Sequence, residues 1–441
     1  MTAKPSRPAS ISLDRRSFVQ QSAATAATAA LMTAIRAAFP GGAHAQGTGP
    51  EVKGTKLGYI ALTDASPLII AKEKGFFAKH GLPDMDIAKQ ASWGAMRDNM
   101  ALGLKANGID GGHILRPKTH LYTTGKVMQN NQPLPMYTLL NLNEDCQAIS
   151  VSNEFKDLAV GTDSSALKAA FEKKKASGKE VKVAMTFPGG THDLWVRYWL
   201  AAGGIDPDKD ISTITVPPPQ MVANMKVGTM DAFCVGEPWN EQLVNQDIGF
   251  TACTTGEIWS KHPEKILGMR ADWVDANPKA ALAIMMATME AQMWCDKAEN
   301  KAEMAEIIGR RQWFNVSVAD IIGRIKGEIN YGRGRQVNDP KLAMKFWGDN
   351  GAVSYPWKSL DAWFVTENIR WGKFETATDI KALVDKTNRS DLWIEAAKAL
   401  GVAGHPTGDS RGIEKFFNGK VFDPADPMAY LKTLGIKRAA V

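Results

Sequence analysis

One stretch constrains this chain more than any other. Val181 to Phe187 is a short apolar run that reads as a strand, Pro188-Gly189-Gly190 is a turn, and His192 to Ala202 is a helix. Pro188 cannot continue a helix and the two glycines admit backbone angles closed to other residues. Thr191 is placed to cap the helix. Leu194, Trp195, Tyr198, Trp199 and Ala202 fall at helical spacing, and Gly203-Gly204 stop the helix. A strand thus delivers the chain to a helix N-terminus with free N–H groups, bare glycines before it and His192 in its first turn. In outline that is an oxyanion site. The plainer alternative is a βα turn with a surface histidine, a common element of α/β folds.

The same grammar recurs. Lys56 to Ala61 reads as a strand, and Pro67 suits the first position of a helix running to about Lys79, with Leu68, Ala71, the Lys72 stem, Gly75 and Phe76 facing inward. A short strand near Met85 to Ala88 comes next. Ser92 then caps a helix with Trp93 in its first turn, and Gly111 to Leu115 is a strand. Further on, Ile211 to Val216 is a strand, Gln220 to Val227 a helix and Ala232 to Val235 a strand. Gly108-Ile109-Asp110 and Gly228-Thr229-Met230-Asp231 play the same part: a helix ends at glycine and an aspartate precedes an apolar strand. Two similar α/β lobes explain this economically. From Glu257 onward the chain is mostly helical and rich in tryptophan, read as core and inter-helix packing.

At 441 residues the chain has room for two or three domains. Its formal charge of +6 is inflated by the first 45 residues, which hold five basic groups against Asp14; without them the balance is 48 basic to 46 acidic. That is no nucleic-acid footprint. The same 45 residues read as an export signal. Arg15-Arg16 supply a twin-arginine pair, Ala23 to Ile35 is a weakly apolar run, and Ala43-His44-Ala45 has the form of a cleavage site. No later run reaches the ~20 apolar residues that span a bilayer, so the expectation is a soluble, exported protein. Cys146, Cys234, Cys253 and Cys295 form no C-x-x-C pair, which argues against zinc or iron–sulfur sites. Buried free thiols are expected rather than disulfides. Phosphate-loop, dinucleotide, nucleophile-elbow and H-E-x-x-H motifs do not occur in the sequence. An exported, near-neutral, two-lobed chain without catalytic motifs points to a ligand-binding protein rather than an enzyme.

Five segments carry a more specific signal. They are Leu62-Thr63-Asp64 with Pro67 to Phe77; Ala91-Ser92-Trp93; Asn141-Leu142-Asn143 with Gln147-Ala148-Ile149; Phe187-Pro188-Gly189 with Thr191-His192 and Arg197 to Asp208; and Gly236-Glu237-Pro238-Trp239-Asn240 with His262-Pro263-Glu264-Lys265. From about Leu57 to Gly372 the chain resembles the exported ligand-binding component of nitrate and bicarbonate ABC importers. The resemblance implies an α/β, two-lobed periplasmic-binding-protein fold of type II, closing on a small oxyanion in the cleft between lobes. The corresponding division is an export signal at 1–45, a first lobe at 46–145 plus 250–441 with a helical C-terminal extension, and a second lobe at 146–249.

Carried over residue by residue, the resemblance names Trp93, Gln147, His192, Gly236 and Lys265 as ligand contacts. Each suits nitrate, a planar and weakly basic monoanion. Trp93 offers an N–H that cannot accept, Gln147 an uncharged amide, and His192 a donor in the field of its helix N-terminus. Gly236 offers a backbone N–H and Lys265 the countercharge. In the bicarbonate branch the position matching Lys265 is acidic and helps hold calcium, so a lysine there implies a metal-free site for nitrate or nitrite. The implied partners are that oxyanion and the ABC permease subunits, with no cofactor, no nucleic acid and a monomeric, periplasmic protein. The alternatives are a bicarbonate-binding protein with calcium, a pyrimidine-precursor synthase on a similar fold, or a cytoplasmic nitrate sensor, against which the export signal counts. The chain departs from the family at Arg116-Pro117-Lys118-Thr119-His120 and at Glu144-Asp145-Cys146. Arg116, Lys118, Glu144 and Asp145 are expected on the surface, as charged residues usually are; the alternative is that they face the cleft, where Arg116 or Lys118 would suit a larger or more negative ligand and Glu144 or Asp145 a metal.

Overall fold

The computed structural model describes residues 49–440. The export-signal reading of 1–45 lies outside them. Two five-stranded sheets organise the chain. The first is built from β1 (Lys56–Tyr59), β2 (Asp86–Lys89), β3 (Gly111–Leu115), β4 (Met136–Asn141) and β10 (Lys265–Arg270), in the spatial order β2-β1-β3-β10-β4. The second is built from β5 (Gln147–Ser152), β6 (Lys182–Met185), β7 (Ser212–Thr215), β8 (Ala232–Gly236) and β9 (Gly249–Thr254), in the order β7-β6-β8-β5-β9.

The two sheets share one plan. Three strands run parallel, then two antiparallel strands follow, β10 and β4 in one sheet and β5 and β9 in the other. The aspartates singled out by the recurring pattern occupy matching places. Asp110 N–H donates to the Lys56 carbonyl (3.1 Å) and Asp231 N–H to the Lys182 carbonyl (2.8 Å), so each closes the entrance of its third strand against the first. The strands β3, β8 and β9 are buried throughout, as helix-covered strands of α/β sheets are. Helices Ser66–Glu73 and Pro278–Asp296 pack with the first sheet, and Thr191–Ala202 with Lys358–Arg370 in the hydrophobic cluster of the second.

Local differences from the sequence reading have simple causes. The expected helix from Pro67 to Lys79 breaks at Gly75, whose φ of +74° starts a separate turn, Phe76–Lys79. The break rotates the chain so that Phe77, not Phe76, is the buried aromatic. Strand β9 crosses the 249/250 division drawn from the sequence, because it pairs with β5 through Thr254. The C-terminal segment likewise serves both sheets: Trp363, Phe364 and Phe416 join Trp195 and Trp259 in one aromatic cluster, while Trp393 packs with the other core. All four cysteines are free and buried. No helix among the described residues is long and apolar enough to cross a membrane.

The chain passes from the first sheet to the second between Asn141 and Gln147, and returns between Thr254 and Lys265. The two passages are stitched together by Leu142 N–H to the Lys265 carbonyl (2.8 Å), Glu264 N–H to the Asn143 carbonyl (3.2 Å) and Asp145 N–H to the His262 carbonyl (3.0 Å). Gln147 and Lys265 are the first strand residues after each passage.

Candidate functional site

Strand register brings the expected residues together. Gln147 opens β5 directly opposite Gly236, the last residue of β8. Lys265 opens β10 opposite Leu115, the last residue of β3. His192 enters from the first turn of the Thr191–Ala202 helix, and Trp93 is the first residue of the helix Trp93–Leu102, whose N-cap Ser92 Oγ accepts from Ala95 N–H (3.1 Å). All five residues are buried.

Four of the five touch one another. The Gln147 side-chain oxygen accepts from His192 Nε2 (2.9 Å) and lies 3.4 Å from Lys265 Nζ. Lys265 Nζ is 3.5 Å from His192 Nε2. A Cβ on Gly236 would sit 2.4 Å from that same Gln147 oxygen. Thr186 Oγ1 is 2.6 Å from His192 Nδ1, and a hydroxyl donating there leaves the Nε2 proton to face Gln147. Trp93 stands beside this group through His113, with ring centroids 5.4 Å apart. Its indole N–H is buried and finds no hydrogen-bond partner among the described residues.

Three acidic or basic residues not named as contacts from the sequence complete the centre. Asp64 Oδ2 takes the Lys265 ammonium at 2.8 Å and the Gln147 amide N–H at 3.0 Å. Its other oxygen is 2.6 Å from His113 Nε2. Glu264 Oε1 takes Lys265 at 2.9 Å and also accepts from the Thr191 hydroxyl, while Oε2 accepts from Trp195 Nε1 (2.7 Å). Thr191 is therefore not the helix cap; Gly190 holds that place and the Thr191 side chain is spent on Glu264. Asp64 and Glu264 lie inside resembling segments, whereas His113 does not, and for it a histidine within the apolar strand β3 was the available signal.

Burial and pairing set the protonation states. Burial alone would raise the Asp64 carboxyl, but Lys265 and His113 beside it hold it well below the usual carboxylate range. Burial pushes Glu264 up against the pull of Lys265 and its two neutral donors. Burial also opposes the charge on Lys265, yet its two carboxylates win and raise it above its ordinary 10.5. Burial, reinforced by the Lys265 charge, drives His192 well below 6.5, so it is a neutral donor. The Lys265 ammonium thus bridges two carboxylates, Asp64 and Glu264. The Gln147 amide also differs from expectation: its N–H₂ serves Asp64, which can only accept, and its oxygen faces the other donors.

The four charged residues expected on the surface are buried instead. Arg116 Nε meets Asp361 at 2.7 Å, tying the end of β3 to the helix Lys358–Arg370. Glu144 takes Arg411 at 2.8 Å, and Asp145 accepts the N–H groups of Lys261 and His262 at 3.2 Å each. These three fasten the inter-sheet passages and the C-terminal segment. Lys118 does not: its ammonium donates to the Trp93 carbonyl at 3.2 Å and lies 3.8 Å from the Phe187 ring centre.

The chain matches the NMT1-like family over residues 48–309. The nitrate/nitrite binding protein NrtA of Synechocystis sp. is 59% identical over 391 residues, which cover 88% of this chain and 86% of that one. The bicarbonate-binding protein CmpA of Synechococcus elongatus is 47% identical over 403 residues, 88% of each chain. The crystal structure of the periplasmic nitrate-binding protein NrtA from Synechocystis PCC 6803 superimposes with a TM-score of 0.85, covering 88% of this chain and 100% of its own. With that fold, and with relatives at this identity along most of its length, the chain belongs to the NMT1-like family and has the periplasmic-binding-protein architecture of its nitrate- and bicarbonate-binding members.

Proposed function

We propose that this protein is the periplasmic solute-binding component of an ABC importer, that it binds nitrate or nitrite, and that it delivers the anion to the permease as a monomeric carrier without catalysing a reaction. The two sheets with their helices act as lobes that part at the passages 142–146 and 255–264, admit the anion and close. The observation that carries this reading is the convergence of His192 Nε2 and Lys265 Nζ on a single acceptor oxygen beside the bare Gly236. That oxygen belongs to Gln147 and occupies the kind of position an oxyanion oxygen takes. Identity to the nitrate/nitrite binding protein exceeds identity to the bicarbonate-binding protein, 59% against 47%, which favours nitrate.

Charge-assisted hydrogen bonds contribute roughly 1.5–3 kcal/mol each. A few of them, less the cost of closure, support micromolar affinity, near about −8 kcal/mol. Titration calorimetry of the purified protein with nitrate and with nitrite should give one saturable site that survives chelator treatment. A saturable response to bicarbonate that needs calcium, with none to nitrate or nitrite, overturns the reading. Export by the twin-arginine route follows from Arg15-Arg16 and is tested by exchanging both for lysine and measuring the periplasmic fraction.

A further inference from the structure

Lys118 is the buried charge that the cluster around Lys265 leaves without a counterpart. Its side chain is fully buried, yet no carboxylate contacts the ammonium among the described residues. Its acidic neighbour, Asp98, is engaged by Arg97 at 2.7 Å. The ammonium is boxed by the rings of Phe187, Trp93 and Tyr122, with centroids at 3.8, 4.6 and 5.5 Å. Aromatic faces and one carbonyl compensate such a charge only in part. On the neighbouring side chains two polar atoms are buried without a hydrogen-bond partner among the described residues, the Trp93 indole N–H and the Tyr122 hydroxyl. Two unsatisfied groups beside an ammonium held by a single carbonyl mark a place built to receive an acceptor, because buried polar groups are paired as a rule.

Charge bookkeeping gives the acceptor its sign. Asp64 and Glu264 carry two negative charges and Lys265 one positive charge. His113 accepts from Ile60 N–H at Nδ1 and so donates from Nε2 to Asp64 as a neutral ring. Without Lys118 the closed cleft would hold one net negative charge before any anion arrived. A protonated Lys118 balances that charge, and its amine, which no carboxylate contacts among the described residues, lies against Trp93. We propose that in this chain Lys118, together with the Trp93 indole N–H, is a further ligand contact that adds a second positive group beside the one Lys265 brings to a small oxyanion. This rests on the anion-binding reading of the site and adds a contact to it.

The test titrates wild type, Lys118→Met and Lys118→Gln with nitrate, nitrite, bicarbonate, sulfate and phosphate, and records the ligand-free melting temperature of each. Both variants should bind the wild-type ligand at least tenfold more weakly, and Lys118→Met should melt no lower than wild type, since it removes a buried charge without a carboxylate. Affinity within twofold of wild type in either folded variant overturns the proposal. If wild type binds another anion of the panel but neither nitrate nor nitrite, and the variants lose that anion, the nitrate reading falls and the role of Lys118 stands. If nitrate binds equally to wild type and variants, the reverse holds. If wild type binds none of the five anions, both fall.

Discussion

Two lysines reach the centre of this protein from neighbouring positions, and they live under opposite conditions. Lys265, at the start of β10, pairs across to the end of β3; Lys118 lies three residues beyond that end. Around Lys265 every polar group is used: two carboxylates hold the ammonium, and those carboxylates are in turn held by His113, Gln147, Thr191 and Trp195. Around Lys118 the aromatic rings close in and the polar atoms are left over. The first region is held together by its own charge pairs. The second keeps hydrogen-bonding capacity unmet, which a core tolerates where a ligand later meets it, and that is the ground for the binding role proposed for Lys118. Full burial does not separate the two; the partners do.

The largest effect that separates them is on folding. Lys265→Met strands Asp64 and Glu264 as buried carboxylates, and breaking a buried pair in this way costs about 3–5 kcal/mol. Denaturant unfolding should show that loss, whereas Lys118→Met should leave the unfolding free energy unchanged or raise it. A similar large loss for both variants would erase the distinction between the two lysines. Next in size is Gly236→Ala. The added methyl meets the far end of a flexible side chain, Gln147, so the stability cost should stay near about 1 kcal/mol, the mild end of overpacking. The displaced amide, however, is the group on which His192 and Lys265 converge, and calorimetry should show at least a tenfold loss of oxyanion affinity. Unchanged affinity would remove Gln147 from the site.

How far the sequence led is explained by the same contrast. The alternation of strand, glycine turn and helix was legible because local rules fix it: Ser92 caps its helix, and Asp110 and Asp231 close their strands. The five expected contacts were legible only through resemblance, since Gln147 and Gly236 are 89 positions apart and meet through strand register. The burial of Arg116, Lys118, Glu144 and Asp145 was not legible. A charged residue is exposed unless a distant partner covers it, and the partners here, Asp361 and Arg411, come from a C-terminal segment more than two hundred residues away. Lys118 was hidden for a different reason, because aromatic enclosure leaves no charge pattern in the chain.

A finer test of the two lysines is the sign of their pH dependence. Pairing raises Lys265 above 10.5, so its contribution to stability is fully present below that pH and is lost as pH climbs through the raised value. Burial, with Arg97 and Lys265 nearby, takes Lys118 well below 10.5. Between its folded value and 10.5 the unfolded chain holds the proton that the folded chain has shed, so stability rises with pH in that window. The melting-temperature advantage of ligand-free Lys118→Met over wild type should therefore shrink as pH is raised toward 10. An advantage that grows with pH would mean that the folded protein holds this proton more tightly than the unfolded chain, and the contrast with Lys265 would disappear.

The smallest effect probes how Trp93 and Lys118 are held together. Ser92 Oγ accepts from Ala95 N–H and fixes the first turn of the helix Trp93–Leu102. That turn orients the Trp93 indole and also presents the Trp93 carbonyl to the Lys118 ammonium. Ser92→Ala removes the cap at a cost of about 1 kcal/mol in stability. Because the helix is anchored further along by the buried Met96 and Met100, the turn should loosen rather than unwind. Nitrate affinity should then fall only a few-fold, with Lys118→Met and Ser92→Ala showing less than additive losses in the double variant, as expected when two changes disturb one contact. Additive losses would mean that the cap and the lysine act on separate parts of the site, and that the region around Trp93 is not a single anion-binding unit.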